Sequence, residues 1–108
     1  MIHLFDEVAY ECSQKVTNGY STSFSSAVRM LAPSIRPAIH SIYGFVRFAD
    51  EVVDTFHDKD KKLLLDKFEW DLYQSLEMGI SLNPILHAFQ KTIKEYNIDI
   101  DLVDAFLK

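Results

Sequence analysis

Apolar residues recur at helical spacing from one end of this chain to the other, and that periodicity limits what it can fold into. Leu4, Phe5, Val8, Cys12 and Val16 fit one helical face, Leu64, Leu65, Phe68, Leu72 and Leu76 a second, and Ile85, Leu86, Phe89 and Ile93 a third. Strand-like alternation is weak, and only 3 glycines interrupt the pattern. An all-α domain follows, with short connections. At 108 residues the chain holds one domain at most. Hydrophobic residues make up 48% and aromatics 13%, enough to build a core.

Punctuation residues divide the pattern. The first helix is expected over about Leu4 to Thr17, ended by Asn18-Gly19. A hydroxyl-rich stretch, Tyr20 to Ser26, then leads into a short apolar piece, Ala27 to Leu31. Ala32-Pro33-Ser34 breaks the chain. Ser34 is placed to cap the next helix, with Pro37 in its first turn, and that helix runs to about Thr55. A mixed-charge connection, His57 to Lys62, precedes a helix from about Lys61 to Met78, stopped by Gly79. Asn83-Pro84 is a cap followed by proline at the first helical position, opening a helix to about Tyr96. Asp99 is placed to cap a last helix.

Charge and cysteine content exclude several functions. A net charge of −5 argues against a nucleic-acid surface, which needs a basic patch. Cys12 is the only cysteine, so no intrachain disulfide forms and a reducing, cytoplasmic setting is expected. The start is acidic at Asp6 and Glu7 and does not read as a signal peptide. No run of ~18 apolar residues is long enough to span a membrane.

The segment Tyr43 to Asp54, YGFVRFADEVVD, carries the chemistry. In a helix Tyr43, Arg47, Asp50 and Asp54 fall within an arc of roughly 60°. Ile35, Ile42, Val46, Ala49 and Val53 form an apolar stripe beside them. Two carboxylates one turn apart, next to a guanidinium and a greasy wall, suit a divalent cation carrying an anionic, otherwise hydrophobic substrate. Spacing alone also allows plainer roles. By spacing alone Asp50 and Asp54 are more often a solvated helix face, Arg47 an i+3 partner of Asp50, Tyr43 a core-edge tyrosine, and Ser21 and Ser23 turn or cap residues. His3, His40, His57 and His87 are too scattered for a ligand set and read as surface or core-edge.

Ser21-Thr-Ser23-Phe24 followed by Tyr43-Gly-Phe-Val-Arg47-Phe-Ala-Asp50-Glu51-Val-Val-Asp54 resembles the squalene and phytoene synthases. The family pattern is Ser-x-Ser-Phe, then Tyr-Ala-Phe-Cys-Arg-x-Ala-Asp-Asp-x-x-Asp about one helix later. Trp70, Pro84 and Tyr96-Asn-Ile-Asp99 also fit, so the resemblance extends over residues 1–108. It implies the N-terminal helices of an isoprenoid-synthase-type bundle, incomplete here, because the family's second aspartate-rich helix comes later in the chain. These 108 residues alone are therefore expected to show no turnover. Gly44 and Val46 stand where the family usually has Ala and often has Cys, both off the site stripe. Glu51 replaces the second Asp of the usual pair and keeps its charge.

The resemblance further implies head-to-head condensation of two prenyl diphosphates, with Mg²⁺ (or Mn²⁺) as cofactor. Asp50 and Asp54 are the implied metal ligands, with Glu51 a further candidate. Arg47 would grip the diphosphate, Ser21 and Ser23 would lie near it, Tyr43 would lie near the substrate or the cation, and Phe24 would line the prenyl cavity. The Asp50-Glu51-Val-Val-Asp54 run is closer to the phytoene version, which takes geranylgeranyl diphosphate, than to the farnesyl-using squalene version. A non-catalytic helical assembly module of the same family is the alternative. Peripheral membrane contact is compatible with such greasy substrates. Phe45, Phe48 and Val52, opposite the site stripe, and Trp70 and Tyr73 on the next long helix are expected to leave apolar surface uncovered, and so to drive self-association of the fragment.

Overall fold

The computed structural model of the chain describes residues 2–107 and contains six helices, with no strand among the described residues. They are α1 (Ile2–Tyr20), α2 (Thr22–Val28), α3 (Arg36–Asp54), α4 (Lys61–Met78), α5 (Pro84–Glu95) and α6 (Ile100–Leu107). The all-α expectation holds. No helix among the described residues is long and apolar enough to cross a membrane.

Helices α3 and α5 form the hub, packed against each other and each against α1 and α4. Residues 85–90, with Thr92 and Ile93, are all buried, so polar side chains of α5 must find partners inside the protein. The central apolar cluster is Phe45, Leu72, Leu86, Phe89, Ile93 and Val103. Phe45 is its pivot: its ring stacks on Phe89 at 4.2 Å and on Phe68 at 5.2 Å. Phe45 and Val52 are therefore not an uncovered second surface of α3. They are 1% and 9% exposed, because α4 and α5 close over that side.

The face that seats α1 differs from the one expected. Leu4 and Val8 are 62% and 47% exposed. Ala9, Ser13 and Thr17, spaced four residues apart, are buried instead. Small side chains let the α1 and α3 backbones approach, and Gly44 of α3 faces Ser13. Hydroxyls knit this seam. Thr17 Oγ1 donates to Ser13 O at 3.2 Å, which leaves its oxygen to accept from His40 Nδ1 at 2.9 Å. Ser41 donates to Ala38 O at 2.7 Å and so accepts from Thr92 Oγ1 at 2.6 Å, joining α3 to α5.

Two histidines expected at the surface or core edge are buried for the same reason. His40 is 6% exposed and His87 fully buried. His87 Nδ1 accepts from the Ser81 amide at 3.2 Å, so Nε2 carries the proton toward Asp6 Oδ1 at 2.6 Å. Lys91 adds an ion pair to Asp6 at 3.0 Å. Burial pushes the Asp6 carboxyl up, but the hydrogen bonds from His87 and Lys91 outweigh it and hold the pKa below the ordinary value.

Helix ends follow the punctuation in the second half and depart from it in the first. Asp60 and Asn83 cap α4 and α5 through their side chains, and Gly79 ends α4 in the left-handed region at φ +74°. The Asp99 carboxylate accepts from the Asp101 amide at the start of α6. Asn18-Gly19, however, does not end α1, which continues to Tyr20. The break falls at Ser21, whose extended backbone (φ −148°, ψ 102°) caps α2. The hydroxyl-rich stretch is itself helix α2, while Met30 and Leu31 lie in an exposed turn. Ser34 does not cap α3. The preceding residue is Ile35, already in right-handed helical geometry with no side-chain cap. Arg36 instead ties the connection by donating to Arg29 O and Leu31 O.

Candidate active site

Helix α3 carries the acidic segment, and α1 and α2 approach it at one end. Phe24 of α2 stacks on Tyr43 with ring centroids 4.9 Å apart. Ser21 sets that contact, because its Oγ accepts the Phe24 amide hydrogen at 3.1 Å and fixes the start of α2. Ser21 is thus a cap, and Ser23 lies exposed on the same short helix.

Arg47 sits half-buried one turn beyond Tyr43. Its guanidinium lies 5.0 Å from the centre of the Tyr20 ring, a cation–π contact. Nε is 3.6 Å from Glu51 Oε2, and the far end is 3.8 Å from Asp54 Oδ2. Both are ion pairs too long for hydrogen bonds. Arg47 is therefore an i+4 and i+7 partner, not the i+3 partner of Asp50 that spacing alone allowed. Helical geometry explains this. From Arg47, Asp54 is turned by about 20° and Asp50 by about 60° one way, and Glu51 by about 40° the other, so Asp50 is the farthest of the three around the helix.

Glu51 meets groups of two helices. Thr55 Oγ1 donates to Glu51 Oε1, and the Tyr20 hydroxyl of α1 stands near the carboxylate. The Thr55 bond and the nearby Tyr20 hydroxyl, with Arg47 close by, hold the Glu51 pKa below the ordinary carboxylate value against a smaller opposing effect of burial. The neighbouring Glu51 carboxylate, with some burial, raises the Tyr20 hydroxyl. Asp50 lies on the other flank of the stripe, half-buried beside a small recess of about 180 Å³ shared with Ala49, Val53, Leu65, Phe106 and Leu107. Asp54 is open to solvent, its side chain 66% exposed.

Tyr43, Arg47, Glu51 and Asp54 are thus joined with Phe24 along one edge, and Asp50 flanks them from the α6 side. Sequence reasoning missed Tyr20 and Thr55. Thr55 was within reach, since Arg47, Glu51 and Thr55 recur every four residues. Tyr20 comes from α1, and no spacing rule links it to α3.

An aromatic wall stands beside this edge. A cleft of about 400 Å³ between α3 and α4 is lined by Tyr20, Phe48, Phe56 and Phe68, with Glu51 and Lys67 among its polar groups. A second, almost wholly apolar recess of about 270 Å³ lies among α3, α5 and α6, bounded by Val46, Phe89 and Phe106.

Asp50 and Asp54 offer carboxylate oxygens, the donor chemistry of Mg²⁺, which takes one or two carboxylates and fills its remaining positions with phosphate oxygens and water. No group of three or more His, Cys, Asp or Glu among the described residues comes together in a way that could hold a metal ion. Two carboxylates are the donor set of a cation whose other ligands come from elsewhere.

The family description "Squalene/phytoene synthase" matches residues 17–108. Over 70 residues the chain is 30% identical to a presqualene diphosphate synthase of Zymomonas mobilis, a match covering 63% of this chain and 24% of that relative. The chain thus spans about a quarter of the length of the curated relative it matches. With a match that takes in α2 to α6 and the whole acidic segment, the chain belongs to the squalene/phytoene synthase family.

Proposed function

We propose that a protein built on this chain condenses two prenyl diphosphates head to head and releases diphosphate, with Mg²⁺ as cofactor. One observation carries the reading: Arg47 and the Asp54 carboxylate lie along one helix edge next to the Phe24–Tyr43 stack, with Asp50 on its flank, in a chain of this family. Asp50 and Asp54 would hold the cation, whose charge favours departure of the diphosphate. Arg47 binds the diphosphate oxygens through its planar fork. In the ionisation step the allylic C–O bond breaks and its electron pair leaves with the diphosphate. The aromatic rings of Phe24 and Tyr43 favour the allylic cation that remains. Ser21 acts through Phe24, whose helix it starts, and Ser23 is free to meet the diphosphate.

The Asp50-Glu51-Val-Val-Asp54 run favours geranylgeranyl diphosphate as donor and a carotenoid precursor as product. The relative named presqualene diphosphate synthase favours farnesyl diphosphate instead. Incubating the complete protein with each donor and Mg²⁺, followed by mass analysis of the hydrocarbon products, separates the two. Release of diphosphate from neither donor would favour the non-catalytic module.

A further inference from the structure

We infer that Glu51 is a positioning residue: together with Tyr20 and Thr55 it seats the Arg47 guanidinium, and it does not serve as a third metal ligand. The inference rests on the synthase reading for what Arg47 binds, but its geometry stands apart from that reading.

A carboxylate has about four lone-pair sites, and both oxygens of Glu51 already meet groups of this chain. Thr55, at the end of α3, donates to Oε1, and the Tyr20 hydroxyl of α1 stands near the carboxylate. Oε2 is buried without a hydrogen-bond partner, and so is Arg47 Nε, 3.6 Å away. These two buried groups of opposite charge are each other's partner. An ion sharing water and phosphate oxygens needs a carboxylate oxygen it can reach; Asp54 is open to solvent, whereas Glu51 Oε2 is buried and Oε1 is taken by Thr55.

The seat fixes one end of Arg47 and frees the other. Glu51 takes the Nε edge, and the Tyr20 ring supports the guanidinium at 5.0 Å. The terminal nitrogens extend toward Asp54, on the open side where a diphosphate can approach. Tyr20 thus supports the cation with its ring and sets its hydroxyl beside the carboxylate that holds that cation. A guanidinium held in this way loses less side-chain freedom when it grips an anion.

The test uses the complete protein and two binding measurements that need no turnover. Mn²⁺ affinity is read by electron paramagnetic resonance, and inorganic pyrophosphate affinity by calorimetry at saturating Mg²⁺. Glu51→Gln should leave Mn²⁺ affinity within about twofold while weakening pyrophosphate about tenfold, the scale of one charge-assisted contact. Arg47→Lys should weaken pyrophosphate similarly, and the double variant should be no weaker than either single one, because both changes remove one interaction. Tyr20→Phe should act in the same direction with smaller effect, which a general loss of packing would not single out. The inference is overturned if Glu51→Gln lowers Mn²⁺ affinity as Asp50→Asn does, if the two single losses add, or if the wild type does not bind pyrophosphate. Coupled pyrophosphate binding without release of diphosphate from prenyl donors would refute the synthase reading and leave the seat intact.

Discussion

Phe24 and Tyr43 stack 23° from coplanar, joining the short helix α2 to the head of the acidic segment. Phe24 remains 37% exposed in that contact, so it serves a surface more than a core. An aromatic pair is worth about 0.5–1.5 kcal/mol beyond its area, so Phe24→Ala should lower stability by roughly that much. Turnover of the complete protein should fall further, or its product distribution should change. Denaturant unfolding compared with product analysis checks both. A loss of ~3–5 kcal/mol with normal specific activity would mark Phe24 as core instead.

Gly44 lies mid-helix against Ser13. A Cβ built there would meet Ser13 Cβ and Oγ at 3.5 Å, ordinary contact. Its removal of backbone freedom from the unfolded chain should then dominate, and Gly44→Ala should stabilise by about 0.4–1 kcal/mol. Thermal unfolding measures this. A destabilised variant would show that α1 and α3 sit closer than described.

His40 gives the fold a pH dependence. Burial lowers its pKa below the ordinary value, so the unfolded chain takes up a proton more readily than the folded one. Its contribution is then present above the unfolded value of about 6.5 and is lost as pH falls from there through the folded value. The melting temperature should therefore drop as pH is lowered below about 6.5, and His40→Gln should flatten that part of the profile. Equal slopes for wild type and variant would remove His40 as the cause.

The 108-residue chain expressed by itself should associate. Leu63, Trp70 and Leu82 are 63%, 58% and 90% exposed, and Leu4 adds 62% on α1. Apolar surface of this kind favours contact between copies. Light scattering over a concentration series should show mass rising with concentration. A constant monomer mass would contradict this and favour a self-sufficient module.

Particular residues show how much of this was legible in the sequence. Gly79, Asn83 and Pro84 set helix ends by local chemistry, and local chemistry is written in sequence. The face of α1 was not legible, because Ala9, Ser13 and Thr17 are chosen by the close approach of α3 and not by their own hydrophobicity. Phe45 was assigned to an open surface for a related reason: which of two apolar faces of α3 is covered depends on where α4 and α5 fold back. At the site, periodicity placed Tyr43, Arg47, Asp50 and Asp54 on one edge. It could not say that Arg47 leans toward Glu51, since that choice is made by Tyr20, 27 positions earlier in the chain.

The most direct test of the account is Mg²⁺-dependent release of diphosphate from prenyl diphosphates by the complete protein, compared with its Asp50→Ala and Asp54→Ala variants. Each substitution should lower release by several orders of magnitude while the helical circular dichroism stays unchanged. A double variant that is folded and releases diphosphate at the ordinary rate would contradict the assignment of these carboxylates, and with it the proposed site.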